Sequence, residues 1–162
     1  MGVDEKLYSL VNYANKAAIV VIFSCNHCPY VRAWEDRMIA IQAEYAKKDV
    51  QLLVINVNDA VKYPDDSFEK MQEHASEKEF PFPYLHNEDQ DIARAYGAER
   101  TPEVFLFDSN SMLRYHGAID DNYEDASAVT RHYLRDALDA VLAGSEPPTT
   151  TTKPVGCSIK WK

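Results

Sequence analysis

Cys25-Asn26-His27-Cys28-Pro29-Tyr30 follows directly on the apolar run Ala17-Ala18-Ile19-Val20-Val21-Ile22-Phe23 and directly precedes a helical pattern. Two thiols three residues apart can close a small disulfide. A cysteine at a helix N-terminus also has its thiolate stabilised by free backbone N–H groups and the positive end of the helix dipole. Set between a buried strand and a helix, in a chain with only 3 cysteines, the pair reads as redox chemistry rather than as a structural cross-link.

Pro29 orders the two thiols. Proline is favoured at the first helical position, which makes Cys28 the N-cap and leaves Cys25 one turn back in the loop leaving the strand. Two registers are open. In the one Pro29 favours, Cys28 is the thiol at the helix start and Cys25 its disulfide partner; in the other, Cys25 is the nucleophile and Cys28 resolves it. His27 lies between them, and a partly protonated imidazole there lowers a neighbouring thiol's pKa and makes the disulfide more oxidising.

The elements that must hold this motif follow from periodicity. Val31, Trp34, Met38, Ile41 and Tyr45 recur at three- and four-residue spacing, so one face of the helix after the motif is core. Val50–Val57 reads as a second buried strand, Asp65-Asp66-Ser67 as the cap of a helix over about 67–78, and Tyr84-Leu85-His86 as a short strand. Asp89–Tyr96 reads as a short helix closed by Gly97, and Val104–Phe107 as a strand paired through the Asp108–Ser111 turn with Met112–His116. Asp121 or Asn122 is the expected cap of a last helix carrying Val129, Tyr133, Leu134, Leu138, Val141 and Leu142 on one face. Strand and helix alternate, the pattern of an α/β fold. Residues 1–144 read as one domain and 145–162 as an extended tail carrying Cys157, with 145–154 linker-like for its prolines and threonines.

With 162 residues, 46% of them hydrophobic, the chain can bury one good core. A net charge of -9 argues against nucleic acid or an anionic membrane as partner, since either needs a basic footprint. Residues 1–16 hold no signal-peptide pattern and no apolar run is long enough to span a bilayer, so the expected location is cytoplasmic. No Gly-rich phosphate loop is present, and no organic cofactor is expected.

The motif together with Pro81-Phe82-Pro83-Tyr84-Leu85, Ala95-Tyr96-Gly97-Ala98, Thr101-Pro102-Glu103-Val104-Phe105-Leu106-Phe107-Asp108, Tyr115-His116-Gly117-Ala118-Ile119-Asp120-Asp121 and Lys153–Trp161 resembles the thioredoxin superfamily. Within it the chain is similar to bacterial peroxiredoxin-like, redoxin-domain proteins of the AhpC/TSA type. The resemblance implies a thioredoxin-like α/β fold, a central mixed sheet flanked by helices. It also implies a cis Thr101-Pro102 bond facing the cysteine pair, and makes Lys6–Leu10 the second half of an N-terminal hairpin. The implied activity is thiol:disulfide exchange through a mixed disulfide, with a disulfide-bearing protein or small molecule as substrate and a thiol as electron donor.

A thiol peroxidase is the alternative within the same superfamily. Counting back from Cys28, however, the threonine of the peroxiredoxin signature falls on Cys25 and its proline on Val21, and lining Phe105-Leu106-Phe107-Asp108 up with the corresponding peroxiredoxin strand puts the activating arginine at Pro102, not Arg100. Outside enzymes, the alternatives are a non-catalytic thioredoxin-fold module and a zinc site built from Cys25, His27, Cys28 and Cys157; zinc sites usually show two paired motifs, and only one pair exists here. His74, His86, His116 and His132 are scattered and read as surface or satisfied core residues. Cys157 reads either as a third redox thiol or as a buried inert cysteine. The alternation of Ile159 and Trp161 with polar neighbours predicts a tail that docks back on the domain and brings Cys157 to the pair.

Overall fold

The structure, a computed structural model, describes residues 1–162. In chain order its elements are β1 (Ala18–Ser24), α1 (Pro29–Tyr45), β2 (Val50–Asn56), α2 (Phe68–Glu77), β3 (Tyr84–His86), α3 (Asp91–Tyr96), β4 (Arg100–Thr101), β5 (Glu103–Asp108), β6 (Leu113–Gly117), α4 (Tyr133–Leu142) and β7 (Cys157–Ser158). Every residue of β1 is buried, because this strand sits in the middle of a five-stranded mixed sheet of order β3-β2-β1-β5-β6. It pairs parallel with β2 and antiparallel with β5.

Alternation along β1 sends Ala18, Val20 and Ile22 into one core and Ile19, Val21 and Phe23 into the other. The first core takes the apolar face of α1, where Val31, Trp34, Met38, Ile41 and Tyr45 are all buried, together with Leu134, Ala137 and Leu138 of α4. The second takes Ala93 of α3 and Ile159 of the tail. The position of α1 is fixed further by Asp120, which accepts from Trp34 Nε1 at 2.9 Å and from Arg37 Nη1 at 2.8 Å. The N-terminus of α1 is thus held at the end of the central strand, with Cys28 as N-cap and Pro29 at the first helical position.

Several local expectations are corrected. Asp121 and Asn122 do not cap α4: they accept from Thr130 N and from Glu124 and Asp125 N, closing turns, and the helix starts only at Tyr133, leaving Val129 outside it. Helix α3 begins at Asp91 rather than Asp89, since the Asn87 side chain receives Ile92 N at 3.1 Å. Lys6–Leu10 forms no hairpin strand. Ser9 instead caps a single 3-10 turn over Leu10–Tyr13, and Gly2 is the residue that bridges to Leu85 of β3.

The segment read as a linker is packed. His116 N donates to Thr150 O at 3.1 Å and Thr152 N donates to His116 O at 2.9 Å, so the tail continues the sheet beyond β6. The open edge of β6 offered these groups a partner, and Gly117 permits the approach: a Cβ there would lie 2.0 Å from Thr152 Oγ1.

Candidate redox site

The loop between β1 and α1 is braced from below. Asn26 N donates to Asp66 Oδ1 at 2.7 Å, Asn26 Nδ2 donates to Asp65 O at 2.8 Å, and Tyr84 Oη donates to Asn26 Oδ1 at 2.6 Å. These contacts set Cys25 and Cys28 side by side under Thr101, whose bond to Pro102 is cis. Cys25 Sγ lies 3.6 Å from Thr101 Oγ1, and Cys28 Sγ, when protonated, can donate to Thr101 O at 3.4 Å.

The electrostatics separate the two thiols. Cys28 is pulled down to about 4, first by the S–H of Cys25, then by the Cys157 S–H and the backbone N–H groups of Val31 and Cys157, all acting against burial. The Val31 N–H is one of the free donors of the first helical turn. Cys25 moves the opposite way, far above the ordinary thiol range, because it donates to Cys28, is buried and sits near the Asp66 carboxylate. The shared proton therefore stays on Cys25 and the charge rests on Cys28.

Asp66 is the residue that sequence reasoning missed. It is fully buried and accepts from Asn56 Nδ2 at 3.1 Å and Asn58 Nδ2 at 2.9 Å, in addition to the Asn26 amide. His27 Nδ1 lies 2.8 Å from its other oxygen. Sequence had assigned Asp65-Asp66 only to helix capping, and Ser67 alone does that, accepting from Lys70 N. His27 thus lies against Asp66 beside Cys25, while Cys28 Sγ sits at the open N-terminus of α1 within 3.4 Å of Thr101 O. One ligand-type atom each from Cys25, His27 and Asp66 lies within 4.8 Å of the others, a grouping that does not include Cys28 or Cys157.

Cys157 reaches the pair from above. Strand β7 pairs antiparallel with β4, placing Cys157 opposite Thr101 and Ser158 opposite Arg100. With the tail in place Cys25 and Cys28 are 1% and 2% exposed, while Cys157 stays half-buried. Burial first, then its hydrogen bond to Cys28, raises the Cys157 thiol to about 11. His74, His86, His116 and His132 lie outside this cluster: His74 pairs with the buried Glu35 at 2.6 Å and His116 with Glu103 at 3.5 Å.

A central mixed sheet flanked by helices, with a cysteine pair at a helix start facing a cis X-Pro bond, defines a thioredoxin-fold protein. The AhpC/TSA family profile matches residues 2–116, and the chain belongs to the AhpC/TSA family. Among solved structures it is 39% identical to a conserved protein of Geobacillus kaustophilus described as uncharacterized, covering 100% of this chain and 87% of that one with a TM-score of 0.94. A hypothetical protein from Sinorhizobium meliloti 1021 is 34% identical over 99% of this chain and 88% of that one, TM-score 0.93. A secreted Mycobacterium tuberculosis disulfide oxidoreductase homologous to E. coli DsbE shares the fold at 15% identity, covering 89% and 92% of the two chains with a TM-score of 0.64. No curated protein matches the chain. No helix is long and apolar enough to cross a membrane.

Proposed function

We propose that this chain is a thiol:disulfide oxidoreductase in which Cys28 is the nucleophile and Cys25 the resolving thiol. What supports this reading is the position of Cys28 at the N-cap of α1, where the helix N-terminus favours a thiolate, with Cys25 buried one turn back; the same surroundings lower the Cys28 thiol and raise that of Cys25. The Cys28 thiolate attacks one sulfur of a substrate disulfide, forms a mixed disulfide and expels the other sulfur as thiolate. Cys25 then gives up its proton, attacks Cys28 Sγ and releases the reduced product, leaving a Cys25–Cys28 disulfide. The proton leaves through Asp66 and His27, the buried carboxylate and the half-exposed imidazole next to Cys25. Stabilising the Cys28 thiolate stabilises the reduced protein, so the disulfide is a ready electron acceptor. The fold shared with the secreted disulfide oxidoreductase agrees with this chemistry.

The test is a thiol count and an activity assay on the full chain. Mild oxidation should remove two of 3 thiols reversibly, and the reduced protein should reduce a low-molecular-weight disulfide such as glutathione disulfide, an activity lost in Cys28→Ser. An unaltered thiol count would sink the reading. The zinc reading now rests on Cys25, His27 and Asp66; stoichiometric zinc in the purified reduced protein, released by chelator with unmasking of Cys25, would favour it instead.

A further inference from the structure

The C-terminal strand occupies the place of a peptide substrate. Backbone flanking a disulfide docks on an exposed strand edge by adding a strand to it, and here β7 adds itself to β4, the strand that ends at the residue before the cis proline. The tail is tied down on both sides of this crossing. Upstream, Thr152 Oγ1 accepts from Ala118 N at 2.9 Å and meets Tyr115 Oη at 2.7 Å. Downstream, Ile159 is buried and its N–H donates to Glu99 O at 3.0 Å, Lys160 N donates to Asn58 Oδ1 at 2.9 Å, and Asp59 N donates to Lys160 O at 2.8 Å. Gly156 brings the strand in close: a Cβ there would lie 2.1 Å from Thr101 O, a backbone atom. Cys157 is consequently set opposite Thr101, whose carbonyl oxygen lies 3.4 Å from Cys28 Sγ, and packs against the core cluster that holds Cys25 and Cys28; it is the one thiol of the three with appreciable exposure.

Resting on the oxidoreductase reading above, we propose that Cys157 is a third redox thiol: it forms a disulfide with Cys28 during turnover and is the sulfur through which small external thiols exchange. The electrons balance as follows. Starting from the Cys25–Cys28 disulfide, Cys157 loses its proton and attacks Cys28 Sγ; the Cys28–Cys157 bond forms, the Cys25–Cys28 bond breaks, and Cys25 leaves as thiolate and takes up a proton. A small thiol RSH then attacks Cys157 as its thiolate, making an R–S–S–Cys157 mixed disulfide and expelling Cys28 as thiolate. A second RSH releases RSSR and restores the Cys157 thiol. Two thiols are oxidised and one protein disulfide is reduced.

Accessibility sets this direction. The Cys157 sulfur is the accessible one of the three, so an external thiol meets it first. A tail seated on the cis-proline edge also denies that edge to a polypeptide. The substrate class is accordingly a low-molecular-weight thiol or its disulfide, which meets Cys157 without lifting the strand.

Full-length Cys25→Ser, oxidised with glutathione disulfide, quenched in acid and mapped by mass spectrometry, should hold an internal Cys28–Cys157 disulfide. A persistent glutathione adduct on Cys28, or two unreacted thiols, overturns the proposal. In a second arm, oxidised wild type and Cys157→Ser are reduced with glutathione, with melting curves as the folding control. Cys157→Ser should still form the Cys25–Cys28 disulfide but be reduced at least about tenfold more slowly, because attack must reach a covered sulfur. Equal or faster reduction shows a passive plug and overturns the proposal. Failure of wild type to form any Cys25–Cys28 disulfide would instead sink the oxidoreductase reading.

Discussion

Gly156→Ala perturbs the site without touching a thiol. The added methyl would lie 2.1 Å from Thr101 O and 2.7 Å from Thr101 C, both backbone atoms, so β7 must move off β4. The displaced strand takes with it two of the donors on the Cys28 thiolate, the S–H and the N–H of Cys157, and leaves Cys25 and Val31 in place. Hydrogen bonds to a charged acceptor are each worth about 1.5 to 3 kcal/mol, and about 1.4 kcal/mol corresponds to one pH unit in a titration. Loss of both should raise the midpoint of the Cys28 thiolate, near 4 in the native chain, by about two pH units or more. Rehydration of the uncovered sulfur offsets part of this. The assay follows ultraviolet thiolate absorbance against pH in the reduced protein, with iodoacetamide labelling at neutral pH to report access. The variant should titrate higher and label faster. An unchanged midpoint with unchanged labelling would mean that the strand neither covers Cys28 nor holds its charge, and the reasoning would fail.

Other outcomes follow from the same geometry. With Cys28 the low-pKa thiol, Cys28 in Cys25→Ser should be alkylated faster at mildly acidic pH than Cys25 in Cys28→Ser, each adduct being mapped to its residue; the reverse order would establish Cys25 as the nucleophile. Unfolded thiols ionise near about 8.5, so between that value and about 4 the reduced native protein binds fewer protons than its unfolded chain. Its stability against urea should therefore rise from pH 5 to pH 8 by more than that of Cys28→Ser, and identical pH responses would contradict a depressed Cys28. Hydrogen peroxide should oxidise the protein no faster than an ordinary low-pKa thiol, because the sequence resemblance implies Cys25 and Pro102 at the positions of a peroxiredoxin's threonine and arginine; stopped-flow rates orders of magnitude above free cysteine would promote a peroxidase. Asp66→Asn should slow release of the mixed disulfide while leaving its formation intact, and an unaltered release rate would remove Asp66 from the proton path.

What sequence revealed and what it hid divide along physical lines. The buried runs of β1, β2 and β5 and the apolar face of α1 are local patterns, and these four elements stand within a residue or two of their expected bounds. Pro29 announced the N-cap position of Cys28 because that preference is set by the proline's own φ and missing N–H. Asp66 was illegible as a site residue: its partners Asn26, Asn56 and Asn58 come from two other segments, and only the fold gathers them. Val129 misled because its spacing suits a helix face, whereas Asp121 closes its turn with Thr130 before the helix begins. The threonine-rich stretch looked like linker because its composition carries no apolar face; what seats it is the unpaired edge of β6 and the space left by Gly117.

The three thiols also form an ordered set, which a pair alone would not. Cys28 lies between Cys25 below and Cys157 above, and a disulfide to either one consumes the Cys28 thiolate. The two possible disulfides, Cys25–Cys28 and Cys28–Cys157, are therefore mutually exclusive and compete for one atom. Cys25 faces a buried carboxylate and Cys157 faces solvent, so the exchange proposed between these disulfides would carry oxidising equivalents from the interior to the surface without opening the core. That arrangement depends on the tail being held at Thr152 and again at Ile159 and Lys160, since a strand fixed at one end alone would leave Cys157 free to swing away from the sulfur it must meet.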